Sequence, residues 1–232
     1  MAFSIVQHAI AHGAAGSLTQ AVTVSATGSG NLLIAWVSGG SSSVTPTQVS
    51  DGTTNFTHAT SAAFSNPSGP SWESDVYYLL SSASGKTTMT GTWSGTGGGK
   101  TIMIWEVSGA TTWAVDGTPQ VSATLQTASS GTLTAPSFTP TATAVIVAGT
   151  LVADAVTVNP KAGNEFTSGG DIASSGDAGC SLVNASVAAH TAQWTDSTSN
   201  DPYQSFSMGF KDVGAAAAFV PYNNYMAPIL TQ

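Results

Sequence analysis

NLLIAWVSGG at 31–40 and TAVIVAGTLV at 143–152 are the same sentence written twice. In the first, Leu33, Ala35 and Val37 would share one side of an extended strand, and Leu32, Ile34 and Trp36 the other. Both sides are apolar, which is the pattern of a central strand covered on two faces. The echo continues along the chain. DGTTNFT (51–57) answers to AGNEFTS (162–168), with Phe56 over Phe166. TTMTGTWS (87–94) answers to AHTAQWTD (189–196), with Trp93 over Trp194. KTIMIWEVSG (100–109) answers to SFSMGFKDVG (205–214), with Trp105 over Phe210.

The chain therefore reads as two copies of one unit of roughly 100 residues. Copy one takes residues 1–110 and copy two 111–214. Strands are expected in copy one at Phe3–His8, Ala21–Ala26, Leu32–Val37, Thr45–Val49, Phe56–Thr60, Asp75–Leu80, Thr87–Trp93 and Thr101–Val107. Asp75–Leu80 and Thr87–Trp93 flank a small polar turn and read as a hairpin. The expected fold is all-β: two antiparallel β-sandwich units, jelly-roll or Ig-like, packed tightly or merged. The junction at Gly109–Thr112 is too short for a linker.

Composition narrows the function. Only 7% of the 232 residues are charged, while 41% are hydrophobic, so the chain can bury a core and does not have the profile of disorder. The four cations are Lys86, Lys100, Lys161 and Lys211, against 12 acids, for a net charge of −8. Direct nucleic-acid binding needs a basic footprint, and this chain has none. A surface poor in long charged side chains loses little entropy on packing against neighbours, which suits a protein of an assembly. Cys180 is the only cysteine, so no intrachain disulfide forms, and its strand-like run reads as a small buried apolar position. No stretch reads as a signal peptide or a transmembrane helix, so no membrane partner is expected.

The last stretch, AAAAFVPYNNYMAPILTQ (215–232), lies outside the repeat. Phe219, Val220, Tyr222, Tyr225, Met226, Ile229 and Leu230 make it apolar, and Pro221 and Pro228 favour an extended path. It reads as a tail that contacts a partner or another copy of the chain.

Candidate chemistry is sparse. SGTGGGKT (94–101) resembles a phosphate loop, but a strand and not a helix follows it, so it reads as a hairpin turn. His8 and His12 are four apart, a ligand spacing for a helix and not for a strand. His190 reads as a half-buried sheet position. The loop acids Asp51, Asp116, Asp171, Asp177, Asp196 and Asp201 could hold Ca²⁺, though capping of turns is their commoner role. Otherwise no cofactor is implied. Glu73 and Asp75 share one strand face with no second acid facing them, and no nucleophile elbow occurs. No enzyme is expected. Trp72, in what reads as a loop, and Trp113, at the junction, are the candidates for glycan contact.

GNLLIAWVSG, SDVYYLLSSASGKTTMTGTWSG and KTIMIWEVSG, each with its counterpart, make residues 1–214 resemble duplicated β-sandwich proteins of phage virions and bacterial surfaces. The resemblance implies a virion structural protein, a capsid-decoration or head- or tail-associated subunit, with other virion proteins or copies of itself as partners. It implies no catalytic residues. The alternative is a secreted or cell-surface carbohydrate-binding or adhesion module, with a host glycan as partner.

Overall fold

The computed structural model describes residues 2–41, 44–60, 64–66, 72–122, 126–127, 131–152, 158–172, 176–196 and 201–214. The fold is all-β, with antiparallel pairing throughout and no helix among these residues. In the first copy the strands are β1 (Ser4–Gly13), β2 (Thr19–Thr23), β3 (Leu32–Gly39), β4 (Pro46–Ser50), β5 (Thr57–His58), β6 (Phe64–Asn66), β7 (Trp72–Leu79), β8 (Thr88–Trp93) and β9 (Lys100–Ser108). They form a large sheet in the order β1-β9-β3-β7-β5, with β6 also on β7, and a small sheet β2-β8-β4.

The second copy repeats this. Its strands are β10 (Trp113–Val121), β11 (Gln126–Thr127), β12 (Thr132–Thr134), β13 (Ala144–Val152), β14 (Val158–Pro160), β15 (Thr167–Ile172), β16 (Asp177–Ala185), β17 (Gln193–Asp196) and β18 (Pro202–Asp212). The large sheet runs β10-β18-β13-β16-β15, with β11 also on β18, and the small sheet β12-β17-β14. Strand for strand the order is the same, and the chain changes sheet system between β9 and β10, at Gly109–Thr112.

Three apolar layers hold these four sheets together. Leu33, Ala35, Val37, Tyr77, Ile102 and Ile104 of the first large sheet meet Val22, Val49, Met89 and Trp93 of the first small sheet. Ile146, Ala148, Cys180 and Tyr203 meet Leu133 and Trp194 in the second copy. The third layer joins the copies: Leu32, Ile34, Trp36, Met103 and Trp105 pack on Val145, Val147, Phe206, Met208 and Phe210. The large sheets thus lie face to face in the middle, and β3 and β13 are buried along their whole lengths. That is the reason both faces of the duplicated stretch are apolar.

The fit at the centre is large against small. A Cβ on Gly149 would stand 2.5 Å from Phe206 and 3.1 Å from the Trp36 ring, and one on Gly179 would stand 2.8 Å from Trp105. The first copy supplies the indoles, and the second supplies glycines where they land.

Three sequence expectations need correction here. Asp75–Leu80 and Thr87–Trp93 do not form a hairpin, because β7 pairs in the large sheet and β8 in the small one. The same holds at SGTGGGKT, which carries the chain from β8 back to β9 in the other sheet. A short polar connection serves equally for a hairpin and for a step between stacked sheets. The register of the 31–40 echo also shifts by one. Trp105 faces Ile34 and its counterpart Phe210 faces Val145, so Ile34 corresponds to Val145 and not to Ile146. A one-residue slip would turn every side chain to the opposite face.

Candidate functional site

Trp72 and Trp113 are not sugar platforms. They are 5% and 4% exposed, and both belong to the layer between the copies. Trp72 opens β7 and donates its indole N–H to Gln204 Oε1 at 3.0 Å. Trp113 opens β10 and packs on Phe3 with ring centroids 5.1 Å apart. The partner-contact residues Phe219 to Leu230 lie outside the described residues, as does the rest of 215–232. Among the described residues, the large apolar side chains left exposed are Val6, Leu18, Val187 and Val213, on separate elements.

Of the six acids read as loop positions, Asp51 and Asp201 lie between strands, whereas Asp116, Asp171, Asp177 and Asp196 lie on β10, β15, β16 and β17. Asp51 Oδ1 accepts from the Thr53 and Thr54 amides and from the Thr53 hydroxyl. Burial pushes the Asp51 carboxyl up, but these bonds and Lys86 outweigh it and its pKa is lowered. Asp116 binds Lys211 and Thr141. Among the described residues no three His, Cys, Asp or Glu side chains gather into a metal-holding group. Lys100 does not reach out as a phosphate ligand. It is 1% exposed, donates to the Gly97 and Gly98 carbonyls, and burial lowers its pKa. Cys180 is buried, and that burial holds its thiol well above the ordinary range.

His8 and His12 sit on β1 opposite Trp105 and Thr101. His12 Nδ1 lies 2.8 Å from Thr101 Oγ1, whose hydroxyl donates to Asp177 Oδ2 across the junction of the two copies. The triplet has the residue types of a nucleophile, a base and an acid. Its proton inventory is different. Thr101 has one hydroxyl proton and gives it to Asp177, so His12 Nδ1–H must be the donor in the other bond. The hydroxyl is held and not activated. Trp36 donates to Ser74 Oγ nearby at 2.5 Å, and Trp72 to Gln204. These contacts form a polar end to an otherwise apolar layer.

A second constellation lies on the face of β7 that turns to the first small sheet. β5 pairs with β7 and places His58 opposite Tyr77. The His58 ring stacks on the Tyr77 ring at 4.6 Å and 16°, and its Nε2 lies 3.0 Å from Asp75 Oδ1. Asp75 is 4% exposed, on the face of β7 that also carries Tyr77 and Leu79. Burial raises its pKa, and the bond to His58 opposes that shift. Glu73, two residues away, is raised by burial and by the Asp75 charge, and Tyr77 by burial and the same charge. His58 borders an open cleft of about 300 Å³ whose far wall is β10.

Sequence reasoning singled out neither His58 nor the pairing of Asp75. A signal was present: Asp75 alternates with Tyr77 and Leu79, so it points to a buried face and needs a partner. Glu106, in IMIWEVS, is the same case. It is fully buried and accepts from Gln7 Nε2, the Gly28 amide and Asn31 Nδ2. Comparison with family models, with curated proteins and with solved structures returned no match.

Proposed function

We propose that this chain is a non-enzymatic structural protein of a virion, a capsid-decoration or head- or tail-associated subunit that works by packing against other subunits. The observation that carries the reading is the winding. In each copy the first strand lies beside the last, the last beside the central strand (β3 or β13), and the remaining strands split between a large and a small sheet. That winding resembles jelly-roll order, the all-β solution used in viral capsid and lectin domains, apart from β5 on the large sheet, and it supports this alternative over an Ig-like one. Duplication with the large sheets face to face gives a stiff body of four stacked sheets, suited to bearing contacts on its outside. A winding alone hosts many functions. The scarcity of charged side chains adds independent support, because such a surface associates at low entropic cost.

The deciding experiment is sedimentation of particles from the source culture. Many copies per nucleic-acid-containing particle would support the reading, with high copy number favouring decoration of a shell and low copy number a tail or vertex. Protein found only free or on cells would overturn it. Removal of 215–232 is then expected to abolish attachment while leaving the thermal transition in place, and full attachment of the shortened chain would remove the tail from the account.

A further inference from the structure

We propose that the free edge of β1 pairs antiparallel with β1 of a second chain, joining two molecules through one continuous sheet. This goes beyond the structural role above and does not depend on it.

A sheet edge presents a row of unpaired N–H and C=O groups, and folded proteins blunt such edges with Pro, bulges, charges or short length. Most edges of this chain are blunted. β5 has two residues, and β12 and β14 have three each. β4 opens at Pro46 and its register breaks just after it. β15 breaks between Ser168 and Gly170. β10, the counterpart of β1 in the second copy, carries Pro119, and its register breaks between Asp116 and Gln120. β2 is unbroken but only five residues long. β1 is the exception. Its bulge, between Ile5 and Gln7, touches only the start, and Gln7–Gly13 then runs seven residues in unbroken register with β9. The strand has no Pro, Lys, Asp or Glu. None of its ten residues is buried, whereas β9 beside it is buried at eight of nine. Among the described residues, the backbone groups that β1 turns away from β9 have no backbone partner.

The residues along that edge select the partner. Residues 8–12 read HAIAH, the same in both directions. Two such strands, antiparallel and centred on Ile10, set Ile10 against Ile10 of the partner subunit. They also set Ala9 against the partner's Ala11, and His8 against the partner's His12. Sidedness agrees. Ile10 packs on the layer between the two copies, and Ala9 and Ala11 pack on the layer between the first large and small sheets. The centred register keeps each kind of side chain opposite its own kind, and a slip of one residue would cross the faces. The sheet β5-β7-β3-β9-β1 then continues as β1-β9-β3-β7-β5 of the second chain. The arrangement is two-fold and closed, so it uses up the edge and stops at two chains.

The test is sedimentation velocity of the full chain across concentrations, with cysteine trapping of the register. We expect a reversible dimer that grows in between about 1 and 100 μM, the range of a modest interface. Directly opposed residues stand about 4.5–5.5 Å apart at Cα, within disulfide reach. Ile10→Cys should therefore give a covalent dimer on oxidation. His8→Cys should not, because its two thiols would lie four residues apart along the pair, about 13 Å. Cys180 is buried and does not compete. Because Ile10→Cys also trims a packed side chain, the exposed His8 and His12 supply a second measurement. His8→Lys with His12→Lys sets Lys against Lys twice, and His8→Lys with His12→Glu sets Lys against Glu twice. Both variants lose the same contacts within one chain, so the first should have a dimer Kd about tenfold or more above the second. A chain that stays monomeric at about 100 μM would overturn the proposal. Equal trapping at positions 8 and 10, or equal Kd values for the two charge variants, would overturn it too. So would a dimer that vanishes on removal of 215–232, which would make the tail the contact. None of these results bears on particle sedimentation, so the two readings fail separately.

Discussion

The loop at 24–31 of the first copy, between β2 and β3, and the loop at 135–143 of the second, between β12 and β13, occupy the same place in the repeat unit. Each is pinned by a carboxylate, and the two copies solve the charge differently. In the first, Glu106 on β9 accepts from the Gly28 amide at 2.7 Å, Asn31 Nδ2 at 2.6 Å and Gln7 Nε2 at 2.5 Å. All three donors are neutral. In the second, the residue corresponding to Glu106 is Lys211, and the acid has moved to Asp116 on β10. Asp116 accepts from the Thr141 amide at 2.8 Å and from its hydroxyl, and Lys211 Nζ lies 3.0 Å away. Both carboxylates are fully buried. What is shared is a carboxylate at a loop; what differs is whether dipoles or a cation balance it. A buried acid needs its lone pairs filled, and the two copies show that either route suffices.

The largest effect is expected in the copy without a cation. Glu106→Ala takes the acceptor from three donors at once and opens a cavity, so it should cost about 4 kcal/mol in chemical denaturation. A loss under about 1 kcal/mol would mean that water replaces the carboxylate and that the loop does not depend on it. Next comes Lys211→Met, which leaves Asp116 buried without its cation. Breaking a buried pair from one side typically costs about 3–5 kcal/mol, and Lys211 is a quarter exposed, so about 2–3 is expected. Adding Asp116→Asn to Lys211→Met should recover part of that loss, and strict additivity of the two changes would deny the coupling.

Acid should separate the copies further. Burial pushes the Asp116 carboxyl up, but the Thr141 and Lys211 bonds outweigh it, and its pKa in the folded chain is lowered. A lowered carboxyl contributes stability that is fully present above its unfolded value and is lost as pH falls through the folded one. Asp116→Asn should therefore flatten the acid limb of the stability curve, read as midpoint against pH. An acid limb that keeps its full slope in Asp116→Asn would place the effect on other carboxyls.

These clamps show where a sequence can be read and where it cannot. Trp93 and Trp194 end up fully buried in equivalent strands, because alternation at a period of two reports burial directly. The central strands were legible for the same reason. Trp72 was not. Its neighbours Pro70, Ser71 and Ser74 suggest a loop, and the Gln204 that satisfies its indole lies 132 positions away. The step from β7 to β8 was hidden because a turn does not state which sheet it leads to. His58 and Asp75 meet only because β5 folds onto β7, and no local pattern carries that pairing. The exchange of Glu106 for Lys211 was visible in the alignment of the two copies, yet its meaning depended on Asp116, which lies on another strand.

The smallest expected effect concerns a feature that only the second copy has. His190 is 7% exposed, with Nδ1 at 2.7 Å from Glu165 Oε1 and Nε2 at 2.9 Å from the Ser186 carbonyl. Both partners accept, so both nitrogens must donate, and the ring is cationic when both bonds are made. Among the described residues no histidine of the first copy is held by both nitrogens. Burial pulls the His190 pKa down, but the bonds to Glu165 and Ser186 and the Glu165 charge outweigh it, and the net shift is upward. A raised imidazole contributes stability that is fully present below its unfolded value and fades as pH rises through the folded one. The loss should therefore appear on the alkaline side of the ordinary histidine range, opposite to that of Asp116. Because Glu165 is half exposed, solvent weakens the pair and the change should be modest. It should be confined to the 186–190 connection and the Phe138–His190 bridge, and amide exchange resolved by residue would show it there first. Exchange at these positions that does not respond to pH beyond the intrinsic rate would show that the ring holds its two acceptors without the extra proton.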